Sequence, residues 1–418
     1  MAREVARRVV RRVESESAFA SAVLAEELAR AALSDADRAL ATEIAYGVLR
    51  HRDRLDRALA AMATRGELKA SAKLRAVLRV AAYQILFLRV PAHAAVDDAA
   101  GAAKRIGGAR MAGFANGLLR RLAREGEPPL PEHPRARVAV EHSLPMWIVQ
   151  RIEDAVGQGE LADAAAALNA PAPLSLRADA PRDAVAERLR GERPGVEVEL
   201  VEGAERALRV TGLGDPAASP SFREGLWTVQ DLAAQRVAEL VAPRDGQRIL
   251  DACAGVGGKS THLAALAPGA TIDAADVSDA KLAKLRAAAV RLGAKSIRAI
   301  TADLTDPSAP LAEHYDAVLI DAPCTGLGVL RRHPEAKWRV TEADIAPLAA
   351  TQRRLLDTLG PRAAAIVYSV CTFTDEEGRG QIAAFLAAHP EFRLDTEIAT
   401  WPHRDGADAF YAARIVRA

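Results

Sequence analysis

The stretch RILDACAGVGGKSTHLAALA, residues 248–267, decides the fold. An apolar run ending in Asp251 passes through a turn containing Gly255, Gly257 and Gly258 and enters a segment of helix formers. Strand, glycine turn and helix make the first crossover of a βαβ unit. The glycines let the backbone turn tightly and approach a ligand closely, and the helix N–H groups point at it. Outward from there, the apolar runs TIDAAD, IRAITAD, YDAVLID and AAAIVYSV alternate with helical segments of about 12–18 residues. Continuous apolar strands alternating with helices predict a parallel sheet covered on both faces.

Upstream, the character of the chain changes. Residues 1–125 read as helices nearly throughout, with apolar residues at spacings of three and four, as in Val5, Val9, Val13 and then Val23, Leu24, Leu28. Ser34 and Asp35 mark a helix N-terminus, and Pro91 punctuates the later helices. EGEPPLPEHP, with four prolines between Pro128 and Pro134, reads as a linker. After it, LSLRAD, VEVELVEG and ALRVTG read as short strands, with DAVAERLRG as a helix. The expectation is an α/β multi-domain chain: an all-helical domain over 1–130, a small α/β connecting domain over 138–225 and a Rossmann-like domain over 226–418.

Composition narrows the class. A chain of 418 residues suggests about three domains. Half of the residues are hydrophobic, which excludes a disordered chain, and three cysteines cannot make a disulfide scaffold. The longest apolar run, Val80 to Leu88, is too short to span a bilayer, and the charged opening MAREVARRVVRRVESES is no secretory signal. A cytoplasmic protein with no membrane association is expected. The net charge of +1 hides a split: residues 1–130 hold 23 basic and 15 acidic side chains, a net +8, and the remainder holds 33 and 40, a net −7. Between Lys69 and Arg124 there are eleven basic residues and only Asp97 and Asp98 as acids. A basic module on a near-neutral chain suits a polyanion such as nucleic acid, although an arginine-rich helical surface is the plainer reading.

The glycine turn admits several readings. GGKST resembles the end of a phosphate-binding loop, but that motif needs glycine five positions before Gly258, where Cys253 stands. A dinucleotide site and an S-adenosylmethionine site both need an acidic residue at the end of the second strand, and Asp276 is there. Asp303, at the end of IRAITAD, is placed to reach an adenine. A tight turn with no ligand is the plain alternative. The three cysteines, Cys253, Cys324 and Cys371, all fall at carboxyl ends of predicted strands, where ligands and chemistry collect in open α/β sheets. Cys253 alone reads best as a structural thiol. With no CxxC or HxxxH spacing, no metal site is expected. A thiol beside an aspartate, as in IDAPCTG, is a setting for nucleophilic catalysis once the thiolate forms.

Together, DACAGVGGKSTH, DAPCTGLGVLRRHPEAKWR and YSVCTF resemble the cofactor, Pro-Cys and second-cysteine motifs of RNA cytosine-5 methyltransferases. The first 130 residues, with DRALATEIAYGVLRHRDRLD, LRVAAYQILFLRVPAHAAVDDA and GFANGLLRRL, resemble a NusB-type RNA-binding domain. That pairing resembles the bacterial 16S ribosomal RNA (cytosine-5)-methyltransferases, and LPMWIVQRI, LNAPAPLSLR and WTVQDLAAQ extend the likeness over nearly the whole chain. Two departures stand out. Ala254-Gly255-Val256 replaces the usual Ala-Ala-Pro, and Val370 replaces the usual Thr before the second cysteine.

The resemblance implies S-adenosylmethionine as cofactor, held by Cys253, Ala254, Gly255, Val256, Gly257, Gly258, Lys259, Asp276, Asp303 and Asp321. It implies Cys371 as the thiol that attacks C6 of cytosine, Cys324 as the thiol that assists product release, Asp321 at the ring nitrogens and Lys259 near the site. The partner implied is 16S ribosomal RNA, free or in an early assembly intermediate, bound by a monomer. Lys104, Arg105, Arg110, Arg120 and Arg121 would add backbone affinity. Arg331, Arg332, His333, Lys337, Trp338 and Arg339 are expected on the substrate face, with Trp338 alternatively in the core. The rival readings are a methyltransferase for another RNA, a non-catalytic RNA-binding scaffold and a nicotinamide-linked oxidoreductase.

Overall fold

The computed structural model describes residues 1–63 and 66–418. The chain divides into two compact units, one of Met1–Ala170 with Leu330–Val340 and the other of Pro171–Val329 with Thr341–Ala418.

The first unit is helical. The helix Ala2–Glu16 buries Val5, Val9, Val10 and Val13, the stripe that its spacing predicts. Ser34 caps Asp35–Arg50 by accepting the Asp37 N–H at 3.2 Å, and Ser71 caps Ala72–Phe87 through the Leu74 N–H at 3.3 Å. Ala72–Phe87 is buried along most of its length and forms the middle of the unit. The helical stretch Ala92–Glu125 breaks at Gly107 and Gly108.

The proline-rich stretch expected to be a linker runs inside this unit. Arg54 holds Glu127 at 2.6 Å, and Arg57 donates to the Pro128 carbonyl at 3.1 Å. Prolines keep that segment extended, and the two guanidinium groups fasten it to the helix Arg52–Met62. Pro134–Glu141, Met146–Val156 and Leu161–Asn169 then add three more helices. The region expected to form one connecting domain is thus divided at Ala170, its helices lying in the first unit and its strands in the second.

The second unit holds two sheets. The smaller has β1 (Leu174–Ala178), β2 (Glu197–Leu200), β3 (Ala207–Thr211) and β4 (Trp227–Val229), all antiparallel, in the order β2-β3-β1-β4. The larger has β5 (Arg248–Asp251), β6 (Thr271–Asp276), β7 (Ile297–Thr301), β8 (Ala317–Asp321), β9 (Ala365–Val370), β10 (Phe392–Thr400) and β11 (Phe410–Arg417). Its order is β10-β11-β9-β8-β5-β6-β7. Strands β5 to β9 are parallel, as the sequence predicts, but β11 pairs antiparallel with both β9 and β10, so the sheet is mixed.

The strand order reverses between β5 and β8, which opens a crevice at their carboxyl ends. Both faces of the sheet are covered. Ile366, Tyr368 and Val370 pack with Leu250 and Ile320 on one side, and Val367 packs with Ile249 and Leu319 on the other.

Candidate active site

The carboxyl ends of β5, β6, β8 and β9 carry the polar groups of the site. The turn after β5 leads into the helix Gly258–Leu266. Gly257 has φ +88°, and a Cβ there would lie 2.5 Å from Leu285 Cγ, so the turn needs glycine on both counts. Asp276, at the end of β6, is nearly buried and braces this turn. Its carboxylate accepts the Gly255 N–H at 3.0 Å and the Ser278 N–H at 2.8 Å, and the Lys281 ammonium lies 3.6 Å from one of its oxygens.

A cavity of about 380 Å³ opens here. Cys253, Gly255, Asp276, Asp303 and Asp321 line it, with Val277, Leu304, Pro323 and Leu355 as apolar walls. Of the residues expected to hold a cofactor, Ala254, Val256, Gly257, Gly258 and Lys259 do not line it. The Asp303 carboxyl is held below its ordinary range by the Thr305 N–H, with the Thr305 hydroxyl adding to it. Burial pushes the Cys253 thiol up, with Asp321 and Asp251 adding to the effect, so it stays neutral.

Lys259 pairs with Asp321, its Nζ 2.5 Å from Oδ2 and 5.5 Å from the Phe410 ring centre. Burial opposes its charge, but the charge and hydrogen bond of Asp321 overcome that and hold the ammonium above its ordinary value. The other Asp321 oxygen accepts the Ser369 hydroxyl at 2.8 Å. The aspartate at the end of β8 is therefore fixed from two sides.

The two cysteines that the sequence singles out are brought together. Cys324 follows β8, Cys371 follows β9, and their sulfurs are 3.2 Å apart. Gly328 donates to the Cys371 carbonyl at 2.9 Å, and a Cβ at Gly328 would sit 1.8 Å from the Ala409 carbonyl oxygen. The Cys324 thiol is pushed well above its ordinary value by the hydrogen bond to Cys371, by burial and by the charges of Cys371 and Glu377. Cys324 thus keeps its proton. Val370 packs in the core on the face of β9 opposite Ser369. A hydroxyl at position 370 would enter that core rather than meet the Cys371 thiol.

The segment after the Pro-Cys motif departs from expectation. Lys337 is 1% exposed, and its ammonium donates to the Arg50 carbonyl at 2.9 Å and the His142 carbonyl at 3.0 Å, with Asn169 as a third partner. Burial pushes its pKa well below the ordinary value. Arg331 is buried as well, and Arg52 lies 3.8 Å over the Trp338 ring. An apolar-rich helical bundle has absorbed this segment, so Lys337 and Arg331 are structural residues of the first unit rather than part of a substrate face.

Lys104, Arg105, Arg110, Arg120 and Arg121 are exposed on Ala92–Glu125. Beside Arg105, a cleft of about 270 Å³ is lined by Arg7, Arg8, Arg11 and Lys73 as well as Glu4. The sequence reading missed the arginines of the first helix, although RRVVRR is their signal. Among the described residues no helix is long and apolar enough to cross a membrane.

A glycine loop after the first of the parallel strands, with a braced aspartate closing the second, is the arrangement of a Rossmann-like site for a nucleotide-type cofactor such as S-adenosylmethionine. The donor set suits that cofactor: Asp276 and Asp303 offer carboxylate oxygens to hydroxyl and amine groups, beside apolar walls that suit a purine.

Known proteins narrow the class. The family described as 16S rRNA methyltransferase RsmB/F matches residues 238–416, and the NusB family matches residues 1–124. A probable ribosomal RNA small subunit methyltransferase B of Synechocystis is 32% identical over 445 residues, covering 100% of this chain and 99% of that protein. A putative methyltransferase of Mycobacterium tuberculosis is 35% identical over 461 residues, with 100% and 96% covered. The crystal structure of PH0851 shares the fold with a TM-score of 0.84 at 24% identity, covering 100% of this chain and 99% of that one. The chain belongs to the 16S rRNA methyltransferase RsmB/F family. It is an S-adenosylmethionine-dependent rRNA methyltransferase.

Proposed function

We propose that the protein methylates C5 of a cytidine in small-subunit ribosomal RNA through a covalent cysteine intermediate. The observation that carries this reading is the pair of thiols 3.2 Å apart at the ends of β8 and β9. C5 of cytosine is a poor nucleophile. When Cys371 thiolate adds to C6, the C5–C6 double bond opens and C5 gains electron density. S-adenosylmethionine, when bound, supplies the electrophilic methyl group that C5 accepts. A base then takes the C5 proton, and Cys371 leaves as the C5–C6 double bond re-forms.

Three groups serve that sequence. Asp321, fixed by Lys259 and Ser369, meets the ring at N3 and N4, accepting from the N4 amino group and orienting the base for attack. Lys259 offers a positive charge that favours a thiolate nearby. Cys324 holds a proton beside Cys371 and assists release of the product. Asp276 and Asp303, with the glycine turn that Asp276 braces, would hold the cofactor. The target base must be unpaired or turned out of its helix, because addition to C6 needs the ring face. That requirement favours free RNA or an early assembly intermediate as the substrate.

The test separates the thiols. Cys371→Ser should abolish turnover and leave no covalent protein–RNA species, because a hydroxyl without an activating base is a far weaker nucleophile. Cys324→Ala should still attack and then release slowly, so an adduct should accumulate on a denaturing gel. An adduct from Cys371→Ala and none from Cys324→Ala reverses the assignment.

A further inference from the structure

Glu377 lies in the turn segment Thr372–Gly378 after β9 and is completely buried. Its carboxylate takes four donors. Oε1 accepts the Thr325 N–H at 2.8 Å and the Gln352 amide at 3.2 Å. Oε2 accepts the Thr325 hydroxyl at 2.6 Å and the Thr374 hydroxyl at 2.7 Å. These partners share a pattern. Thr325 is the residue after Cys324, and its hydroxyl also lies 2.9 Å from that of Thr372, the residue after Cys371. Gln352 donates in addition to the carbonyl of Pro323, the residue before Cys324. The Glu377 carbonyl is itself pinned by the Tyr368 hydroxyl of β9 at 2.6 Å.

We propose that Glu377 is a positioning residue that ties the two cysteine-bearing loops together and sets the approach of Cys324 to Cys371. This rests on the two-thiol reading above. Two strand ends in a parallel sheet are about 4.8 Å apart, and nothing in the ladder itself aims the residues beyond them. A buried carboxylate with donors from both loops supplies that aim, because losing any one link leaves an acceptor or donor unsatisfied in a dry site. The same charge adds to the hydrogen bond with Cys371, to burial and to the charge of Cys371 in keeping the proton on Cys324.

The test uses the full-length protein with S-adenosylmethionine and an RNA substrate, wild type beside Glu377→Gln, Thr325→Val and Thr325→Ser. Thr325→Val removes one hydroxyl from the clamp at constant volume, and Thr325→Ser restores it. A misplacement of about 1 Å costs on the order of 100-fold in rate, so kcat should fall about 10- to 100-fold in Glu377→Gln and Thr325→Val. Recovery is expected in Thr325→Ser, while the cofactor Kd and the KM for RNA stay within about twofold of wild type. Site-resolved alkylation followed against pH should show Cys324 reacting at lower pH in Glu377→Gln. Native kcat in Thr325→Val overturns the clamp. So does a parallel loss of cofactor affinity and kcat in Thr325→Val, which marks a merely structural role. If Glu377→Gln does not fold, the Val and Ser pair decides. A wild type that forms no adduct with RNA carrying 5-fluorocytidine removes the two-thiol reading instead, and the alkylation profile still judges Glu377.

Discussion

Asp251 closes β5 with a carboxylate that is 1% exposed. One oxygen takes the Ser260 hydroxyl at 2.6 Å, and Oδ1 has no hydrogen-bond partner. Burial lifts its pKa from 3.8 to about 6, against the pull of Ser260. The folded state therefore holds a proton that the unfolded chain has released between pH 3.8 and about 6. Its contribution is fully present below that window and is lost as pH rises through it, at a cost of about 3 kcal/mol. Asp251→Asn removes the titration, so its Tm relative to wild type should climb as pH is raised from 4 to 7. A constant difference would mean that Asp251 titrates as an ordinary carboxyl. At this scale the sequence reveals position better than partnership. The strand-end cysteines and Asp276 are legible because apolar runs mark where strands stop. The 3.2 Å approach of Cys324 to Cys371 depends on β8 lying beside β9, a pairing 47 residues distant. Glu377 is hidden for another reason: in TDEEGRG it looks like one more charge in a polar turn.

Among the elements, the small sheet reaches the helix after the glycine turn through one side chain. Arg177 of β1 is fully buried, and its guanidinium meets Asp179 at 2.8 Å, the Gln230 carbonyl oxygen at 2.8 Å, the Gly258 carbonyl at 2.9 Å and the Thr261 hydroxyl at 3.3 Å. It thereby ties the first turn of the helix Gly258–Leu266 to β1. Removing one partner of a buried pair leaves an uncompensated charge, here Asp179, at a cost of about 3–5 kcal/mol. Arg177→Met should cost that much in urea unfolding and speed hydrogen exchange of the amides in that helix. Arg177→Lys should recover less than half, because an ammonium cannot serve four acceptors spread around a planar fork. A loss below about 1 kcal/mol in both variants would show that the helix holds its place without the bridge. The connecting strands β1 to β3 and their helix are legible from alternation and turn residues. Strand β4 is too short to be seen, and β10 is too exposed: Arg393 to Glu397 all face solvent, so no apolar run announces the antiparallel edge.

For the molecule as a whole, the net +8 of residues 1–130 falls within the first unit, and the exposed cations of Ala92–Glu125 lie there with the cleft of Arg7, Arg8, Arg11 and Lys73. Removing residues 1–130 is a poor way to test what that charge does. Lys337 would lose the Arg50 carbonyl and Trp338 would lose Arg52, leaving a buried amine and an indole stripped of their cover. Neutralising surface cations keeps the fold and isolates the electrostatics. Each phosphate that a cation no longer neutralises flattens the slope of log K against log salt by about 0.7 for single strands and 0.9 for duplex. Replacing Lys104, Arg105, Arg110 and Arg120 together by Gln should therefore flatten the slope by up to about 3 if all four meet phosphates. Arg121 is left in place because it pairs with Glu125 at 2.9 Å. Cofactor affinity, measured by calorimetry, should not move, because the Asp276 pocket is built wholly from the second unit. A slope unchanged from wild type on small-subunit ribosomal RNA would assign phosphate binding to other surfaces and leave the cations of the broken helical stretch Ala92–Glu125 ordinary solvated charges.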